Sequence, residues 1–92
     1  MKYTPYYTNQ LKKQLKLLKK RGYNMSLFKE VVNKLLDGIP LSPKHRDHPL
    51  KGVYKGYRDC HIQDDWVLIY KIDESIVTLI LSETGTHSDI FE

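Results

Sequence analysis

The sequence predicts a small α+β domain, with two helices in its first half and an antiparallel sheet formed mainly by its second half. Early in the chain, leucine and valine recur at helical spacing, whereas the later apolar residues form short runs typical of strands. A chain of 92 residues is long enough for one modest hydrophobic core. We therefore expect a single domain over residues 1–92.

The chain begins with a short strand and a lysine-rich helix. Lys2–Tyr7 is rich in tyrosine and contains Pro5, which cannot donate a backbone hydrogen bond, so this segment fits a strand near a sheet edge. A helix is predicted over about 9–21, with Thr8 as its N-cap and Gly22 directly after its end. Its lysines fit either a solvated surface or one that attracts phosphate. Its apolar face consists of Leu11, Leu15 and Leu18.

A second helix follows after a short connection. Ser26 is its candidate N-cap, and Gly38 with Pro40 ends it. Because only residues 22–25 separate the two helices, we expect an antiparallel helix pair. The apolar side chains of this helix are assigned to the core, namely Phe28, Val31, Val32, Leu35 and Leu36.

Three strand-like runs follow, over about 53–62, 66–72 and 76–82. The short polar segments 63–65 and 73–75 are the turn candidates between them, so a three-stranded antiparallel meander is expected. The second and third runs are apolar on both faces. Because the helix pair can cover only one face of the sheet, the other must meet a partner, the C-terminal tail or a substrate.

Charge is distributed unevenly along the chain. Residues 1–58 contain fourteen Lys and Arg against three acids, whereas residues 59–92 contain one lysine against eight acids, and the net charge is +4. Such a basic first half favours a polyanion such as RNA or DNA, or an acidic protein partner. A merely soluble, lysine-rich surface explains the same charges.

Composition disfavours several other classes of protein. No apolar run approaches the roughly 20 residues of a membrane span, and no signal peptide is recognised, so we expect a cytoplasmic protein without a membrane partner. Cys60 is the only cysteine and cannot form an intramolecular disulfide. One cysteine and scattered histidines do not provide the ligand spacing of a zinc site, so no metal is expected.

Four titratable residues in the second half are candidates for chemistry. His48, His61, Asp65 and His87 are predicted to lie in a loop, a strand end, a turn and the tail. Paired antiparallel strands can bring such residues to one end or face of a sheet. Imidazoles titrate near neutral pH, so a pair of them can accept one proton and donate another, as the cleavage of RNA requires. His45 is expected to be a solvent-exposed loop residue.

Each candidate also has a structural explanation. His61 fits a half-buried strand residue, Asp65 fits a turn residue bonded to its own backbone, and His87 fits a cap of the C-terminal segment. Trp66 and Phe91 fit the core, and the alternative is that their rings stack on a base. These alternatives remain open on residue types and spacing alone.

Four segments carry a resemblance to a known family. They are Asp47–Gly52, Tyr54–His61, Asp65–Lys71 and Thr84–Phe91, and they lie within residues 47–91, about half of the chain. In order and spacing they resemble the motifs of YafQ-type toxins, which belong to the RelE superfamily of type II toxin–antitoxin systems. The resemblance implies a RelE-like fold, with an N-terminal strand, a two-helix hairpin and an antiparallel three-stranded meander that completes a sheet.

The resemblance also implies an activity and partners. Members of the family cut messenger RNA in the ribosomal A site and are silenced by a cognate DinJ-like antitoxin. The implied mechanism is metal-free, without a cofactor, and the 2′-hydroxyl attacks the adjacent phosphorus. The implied catalytic residues are His48, His61, Asp65 and His87, and the implied substrate-binding residues are Trp66, Phe91 and Arg58.

Roles within this site follow from the same resemblance. His87 is the expected general acid, His48 and Asp65 are the candidates for general base, and His61 is expected to orient the substrate or balance charge. Trp66 and Phe91 are expected to hold or stack the nucleotide.

One position departs from the family pattern. Members commonly have an arginine where this chain has Glu83, and that arginine can stabilise the phosphorane. A carboxylate there weakens the nuclease, unless Arg58 or a lysine supplies the cation, or Glu83 points away or pairs with Arg58. The alternative function is therefore a weakened nuclease or a non-catalytic binding toxin on the same fold, similar to the ParE-like inhibitors of DNA gyrase.

Overall fold

The computed structural model describes residues 1–91 as an α+β fold in which helices pack on a five-stranded sheet. Two short 3₁₀ turns, Pro43–His45 and Gly52–Tyr54, flank the smallest strand. In chain order the strands and helices are β1 (Thr4–Tyr7), α1 (Asn9–Lys20), α2 (Met25–Leu36), β2 (His48–Pro49), β3 (Arg58–Gln63), β4 (Trp66–Asp73), β5 (Thr78–Thr86) and α3 (His87–Phe91).

The sheet has the strand order β1-β5-β4-β3-β2. Strands β3, β4 and β5 form the expected antiparallel meander. Strand β1 lies at one edge, as predicted, and it pairs in parallel with β5. The parallel pairing requires a crossover, and the α1–α2 hairpin with the meander provides it. At the other edge, β2 pairs with β3 through only two residues.

The helix ends agree with the sequence in one case and differ in the other. Thr8 caps α1, because its Oγ1 accepts a hydrogen bond from the Leu11 amide. The prediction that Ser26 caps α2 is wrong. Asn24 is the cap, and its Oδ1 accepts from the Ser26 amide at 3.0 Å. Asn24 has extended backbone angles just before the first helical residue, whereas Ser26 already lies inside the first turn.

Two strand boundaries differ from the prediction. Residues 52–54 form a 3₁₀ turn, so β3 begins at Arg58 rather than near residue 53. Strand β5 does not stop near residue 82 but continues to Thr86, because β4 pairs with it along its full length, from Asp73 with Thr78 to Trp66 with Thr86. The Thr-Gly-Thr segment thus belongs to the sheet and not to a separate tail.

One face of the sheet packs on the α1–α2 hairpin and forms the main core. Side chains alternate along a strand, and Trp66, Leu68 and Tyr70 of β4 point to this face. The Trp66 ring stacks on Phe28 with a centroid distance of 6.5 Å. The helices contribute mainly apolar residues to this core, including Leu11, Leu18, Phe28, Val31, Val32, Leu35 and Leu36.

The opposite face of the sheet is covered by the chain itself. Val67 and Ile69 are fully buried there, although they do not belong to the helix-side core. Helix α3 packs on β5, and Phe91 of this helix lies 5.5 Å from the Tyr54 ring. A partner, the C-terminal tail or a substrate was expected to cover this face. In the structure the C-terminal tail covers it, together with the turn before β3.

A β-bulge in β5 decides which of its side chains reach that face. Ile69 pairs with Glu83, but the next residue of β4, Tyr70, pairs with Leu81, so Ser82 is the extra residue. Leu79 and Leu81 point to the helices. Without the extra residue, Glu83 and Gly85 would follow them onto the helix side.

Within residues 1–91, no helix combines the length and the apolar character needed to cross a membrane.

Replacing Asn24 with Ala should lower the free energy of unfolding by about 0.5–2 kcal/mol, because the amide of Ser26 loses its capping acceptor. Ser26→Ala is the matched control: it removes the exposed hydrogen bond from the Ser26 hydroxyl to Asn24 Oδ1 but keeps the cap of the Ser26 amide, and it should change stability by less than about 0.5 kcal/mol. Urea denaturation of both variants measures the difference. Equal losses for the two variants would contradict the assignment of the cap.

Candidate active site

Pairing across the sheet aligns the candidate residues in two adjacent rows. Directly paired residues point to the same face, and neighbouring strands lie about 4.8 Å apart. One row, from β2 to β5, is His48, Asp59, Ile69 and Glu83. The next row, from β3 to β5, is His61, Val67 and Gly85. Residues separated by up to 37 positions in the chain thus share one surface.

His48 is exposed on β2, and its orientation is fixed by its own loop. Its Nδ1 lies 2.5 Å from the Arg46 carbonyl oxygen. Because a carbonyl oxygen can only accept, Nδ1 carries the proton in the neutral ring. The other nitrogen, Nε2, then has a free lone pair and can accept a proton from a substrate.

His61 is half-buried and is held in the same way by the turn that follows β3. Its Nδ1 donates to the Asp64 carbonyl oxygen at 2.8 Å. Its Nε2 is therefore the acceptor in the neutral ring. The His61 ring lies 5.5 Å from the His87 ring, measured between centroids.

His87 is the first residue of α3, and a capping box fixes the start of this helix. The Asp89 amide donates to Thr86 Oγ1 at 3.1 Å, and the Thr86 amide donates to Asp89 Oδ2 at 3.1 Å. Asp89 also forms an ion pair with Arg21 at the end of α1, at 3.2 Å. These amide and guanidinium contacts lower the pKa of Asp89, the Thr86 amide being the largest cause.

Gly85 allows α3 to turn back closely on β5. A Cβ atom at this position would lie 3.1 Å from the Asp89 Cβ. A larger residue would therefore push the capping box away and displace His87 from the sheet.

Asp59 lies at the centre of the histidines, although it is not among the site residues predicted from the sequence. Its side chain is 1% exposed. Within the described part of the chain, its Oδ1 has no hydrogen-bond partner. Burial raises the pKa of Asp59, and the charges of His48, His61 and His87 act in the opposite direction. One buried carboxylate therefore interacts with all three imidazoles.

A signal for Asp59 is present in the sequence. Asp59 precedes His61 by two residues, and residues at this spacing point to the same face of a strand. A carboxylate buried on a strand is costly unless charged or polar groups surround it, so its position next to a candidate histidine indicates a shared site.

Asp65 does not belong to the group formed by Asp59 and the three histidines. It is exposed in the turn between β3 and β4. Within residues 1–91 its carboxylate forms no hydrogen bond or ion pair, and its charge is not among those that act on Asp59. Its catalytic role stays a prediction.

The expectation that Trp66 holds the nucleotide is wrong, because its side chain is only 2% exposed. Its Nε1 donates to Thr84 Oγ1 at 2.9 Å, and its ring packs between the helices and the sheet. A ring without a free face cannot stack on a base. Trp66 is a core residue.

Arg58 also lies apart from the histidines. It pairs opposite Tyr70, so it points to the helix side, whereas Asp59 points to the other face. Its Nε forms an ion pair with Asp47 Oδ1 at 3.1 Å, and the Tyr70 hydroxyl donates to the same oxygen at 2.7 Å. The structure thus places the Arg58 guanidinium in an ion pair on the helix side, and its role in substrate binding stays a prediction.

Phe91 is the aromatic residue of the prediction that remains accessible. It is 40% exposed, and its ring lies 5.4 Å from the His87 ring. Tyr54 and Tyr57 extend this group of rings, with centroids 6.5 Å apart, and the Lys71 ammonium lies 5.5 Å from the Tyr57 centroid. A line of aromatic faces thus runs from the histidines to a lysine.

Glu83 does not pair with Arg58, in contrast to one of the expected alternatives. Its Oε2 accepts a hydrogen bond from the Tyr54 hydroxyl at 2.8 Å. This hydrogen bond raises the pKa of Tyr54, and burial acts in the same direction. Glu83 therefore connects β5, through Tyr54, with the turn that precedes β3.

The expectation that His45 is a solvent-exposed loop residue is wrong. The side chain is 7% exposed, and its Nδ1 donates to the His61 carbonyl oxygen at 2.6 Å. The 3₁₀ turn that begins at Pro43 folds onto β3 and buries the ring. His45 thus attaches the loop before β2 to the strand that carries Asp59 and His61.

Comparisons with known proteins agree over almost the whole chain. A family model described as bacterial toxin of type II toxin–antitoxin system, YafQ, matches residues 3–92. The chain is 41% identical over 86 residues to the mRNA interferase toxin YafQ of Escherichia coli K12, covering 92% of this chain and 91% of the relative.

Two solved structures share the fold. A chain in the crystal structure of the E. coli DinJ–YafQ complex is 37% identical, with a TM-score of 0.89, and the match covers 98% of this chain and 99% of that chain. A metal-bound toxin from Helicobacter pylori is 40% identical, with a TM-score of 0.91, and the match covers 97% of this chain and 99% of that chain.

These matches define the class of protein. The chain is a bacterial toxin of a type II toxin–antitoxin system. Within this class it belongs to the YafQ family, because the family model and a 41% identical relative each cover most of its length.

Asp59→Asn should make the fold more stable at neutral pH. Because burial raises the pKa of Asp59 in the folded state, the folded chain binds this proton more tightly than the unfolded chain. The contribution of Asp59 to stability is therefore greatest below the unfolded pKa of about 3.9, and it declines as the pH rises through the folded pKa. The melting temperature of the variant should exceed that of the wild type at neutral pH.

The control for this measurement is Asp65→Asn, which changes an exposed carboxylate and should leave the melting temperature nearly unchanged. The increase in melting temperature caused by Asp59→Asn should become smaller as the pH is lowered toward about 4. A lower melting temperature for Asp59→Asn at neutral pH would mean that attraction to the histidines outweighs the cost of burial.

Proposed function

We propose that this toxin is an mRNA interferase, an endoribonuclease that cuts messenger RNA in the ribosomal A site. The observation that carries the proposal is the convergence of His48, His61 and His87 around the buried carboxylate of Asp59. The 41% identical relative from E. coli K12 is an mRNA interferase toxin. The basic first half of the chain is suited to a polyanionic substrate.

In the proposed reaction the 2′-oxygen attacks the adjacent phosphorus. A base removes the 2′-hydroxyl proton as the new O–P bond forms, and the bond from phosphorus to the 5′-oxygen breaks. An acid protonates that leaving oxygen, which leaves a 2′,3′-cyclic phosphate and a 5′-hydroxyl. The chain needs no cofactor for these steps, since two imidazoles can provide both proton transfers.

The geometry favours a particular assignment of these roles. His48 is the better candidate for the base, because its free Nε2 is exposed, whereas Asp65 lies outside the histidine group. His87 is the proposed acid. It lies at the start of α3, beside His61 and Phe91, where a leaving group on the sheet surface can reach it. His61 is proposed to balance charge on the phosphate.

Asp59 is proposed to supply the negative counter-charge for positive charge that His61 and His87 carry during the reaction. A carboxylate near an imidazole stabilises its protonated form. A protonated His87 can donate to the leaving oxygen, and a protonated His61 can offset negative charge on phosphorus. This helps to explain how the chain functions with Glu83 at the family's arginine position, since that carboxylate is bonded to Tyr54.

The proposed substrate contacts use the accessible side of the site. Phe91 offers an exposed ring on which a base can stack. Lys71, over the Tyr57 ring, is the proposed cation at the other end of the aromatic line. We assign the fold to the RelE superfamily on the basis of the strand, the helix hairpin and the meander.

The proposed partner is an acidic antitoxin of the DinJ kind. The E. coli relative was solved as a DinJ–YafQ complex. The exposed lysines of α1 give this chain a basic surface on which an acidic segment can fold.

Replacing His87 with Ala should lower the rate of message cleavage by about a hundred- to ten-thousand-fold, because the leaving oxygen loses its proton donor. Cleavage is measured on programmed ribosomes by mapping the ends of the message. Asn33→Ala, at an exposed position of α2 on the helix side of the sheet, is the control and should cut at close to the wild-type rate. A folded wild-type protein that neither cuts message nor arrests translation would refute the nuclease.

Asp59→Asn and Asp65→Asn distinguish the two carboxylates. Asp59→Asn should lower cleavage at least about tenfold, equivalent to roughly 1.4 kcal/mol of barrier, because the histidines lose their counter-charge. Asp65→Asn should have a smaller effect, since that carboxylate does not contact the group. A larger loss of cleavage for Asp65→Asn than for Asp59→Asn, measured on the same ribosomes, would indicate that Asp65 is the general base.

A further inference from the structure

A cleft of about 470 Å³ opens at the end of β3, between the helix-side core and His61 of the histidine site. It lies between the 3₁₀ turn Pro43–His45 and the end of β3, and His61 forms part of its wall. Its volume falls within the range of small-molecule sites, roughly 300–1,000 Å³. Among the side chains that line this cleft, only that of His61 has a proposed role in the reaction.

The wall of the cleft is rigidly attached to the site. His45 is buried and donates to the His61 carbonyl oxygen at 2.6 Å, which ties the turn to β3. The Arg46 carbonyl oxygen accepts from His48. The loop that carries the proposed base therefore also forms the cleft, so a ligand in the cleft lies at a fixed position relative to the reacting groups.

The chemistry of the lining suits a nucleotide. Lys44 and Arg46 are exposed cations on one wall, and Asp64 is the acid on the opposite side. Leu27 and Ile62 supply an apolar floor. Cations beside an apolar surface can bind a phosphate while the sugar or base packs on the floor.

We propose that this cleft binds one nucleotide of single-stranded RNA next to the scissile phosphate, with its phosphate held by Lys44 and Arg46. The inference rests on the proposed function and adds a subsite to it. His61 lines the cleft and also lies next to His87. When the scissile phosphate of an RNA lies among the histidines, the adjacent nucleotide of that RNA therefore enters the cleft. These two cations bind substrate and do not touch the reacting atoms.

The test replaces both cations, in the variant Lys44→Gln with Arg46→Gln. The probe is a short single-stranded RNA in which a 2′-methoxy group at the cut site prevents cleavage. Its affinity should fall about tenfold or more, and the slope of log affinity against log salt should decrease by roughly 0.7, the value expected for the loss of one phosphate contact on a single strand. On ribosomes, KM should rise while kcat stays near the wild-type value.

Two matched variants make the result specific. Lys12→Gln with Lys16→Gln removes the same charge from exposed positions of α1 and should change affinity much less. Lys44→Arg with Arg46→Lys keeps both charges and should bind like the wild type. An equal loss of affinity in the α1 double variant and in the cleft double variant would overturn the subsite. The loss would then reflect general electrostatic attraction between a basic protein and RNA.

RNAs of different length show whether the phosphate in the cleft belongs to the substrate RNA or to ribosomal RNA. The defect of the cleft variant should disappear on RNA trimmed by the nucleotide that fills the cleft. A defect seen only with ribosomes, and not with free RNA, would mean that the cleft contacts ribosomal RNA and would overturn the proposal. If the wild type cleaves message and the cleft variant equals it in every assay, the subsite fails while the nuclease stands.

Discussion

The buried carboxylate of Asp59 is the constraint on which the rest of the site depends. A charge removed from water is costly unless charged or polar groups surround it. Here three imidazoles approach it from β2, from its own strand and from α3, and Oδ1 has no hydrogen-bond partner within the described residues. Each element that carries a histidine must therefore stay in place for the carboxylate to be compensated. The histidines thus reduce the cost of burying Asp59, and the fold bears the remainder of that cost at the proposed active site.

The second face of the sheet shows how a short chain builds such a centre. Val67 and Ile69 need an apolar cover, and the α1–α2 hairpin lies on the other side. The turn containing Tyr54 and the short helix α3 provide this cover. Because the cover is made of elements that also carry His87 and Phe91, burial of the strand positions the proposed acid. The Glu83 carboxylate takes part through Tyr54, and thus has a structural use in this chain.

Local signals predicted the framework well. The leucine spacing gave α1 with its Thr8 cap, and the apolar runs with polar turns gave the meander of β3, β4 and β5. The resemblance in four segments identified His48, His61 and His87, which the fold brings together. The errors concern residues whose environment depends on distant parts of the chain. His45 was expected in solvent, but a strand far from it in sequence accepts its hydrogen bond.

The sequence by itself determined the helices, the order of the strands in the meander and the chemical types available for catalysis, because these depend on periodicity and composition within short windows. Only the tertiary structure decided which face each side chain occupies. The bulge at Ser82 turns Glu83 and Gly85 away from the helices, and the register of β3 with β4 sends Arg58 to the core side and Asp59 to the histidines. One residue of register moves every later side chain of a strand to the opposite face, and register is set by pairing between strands.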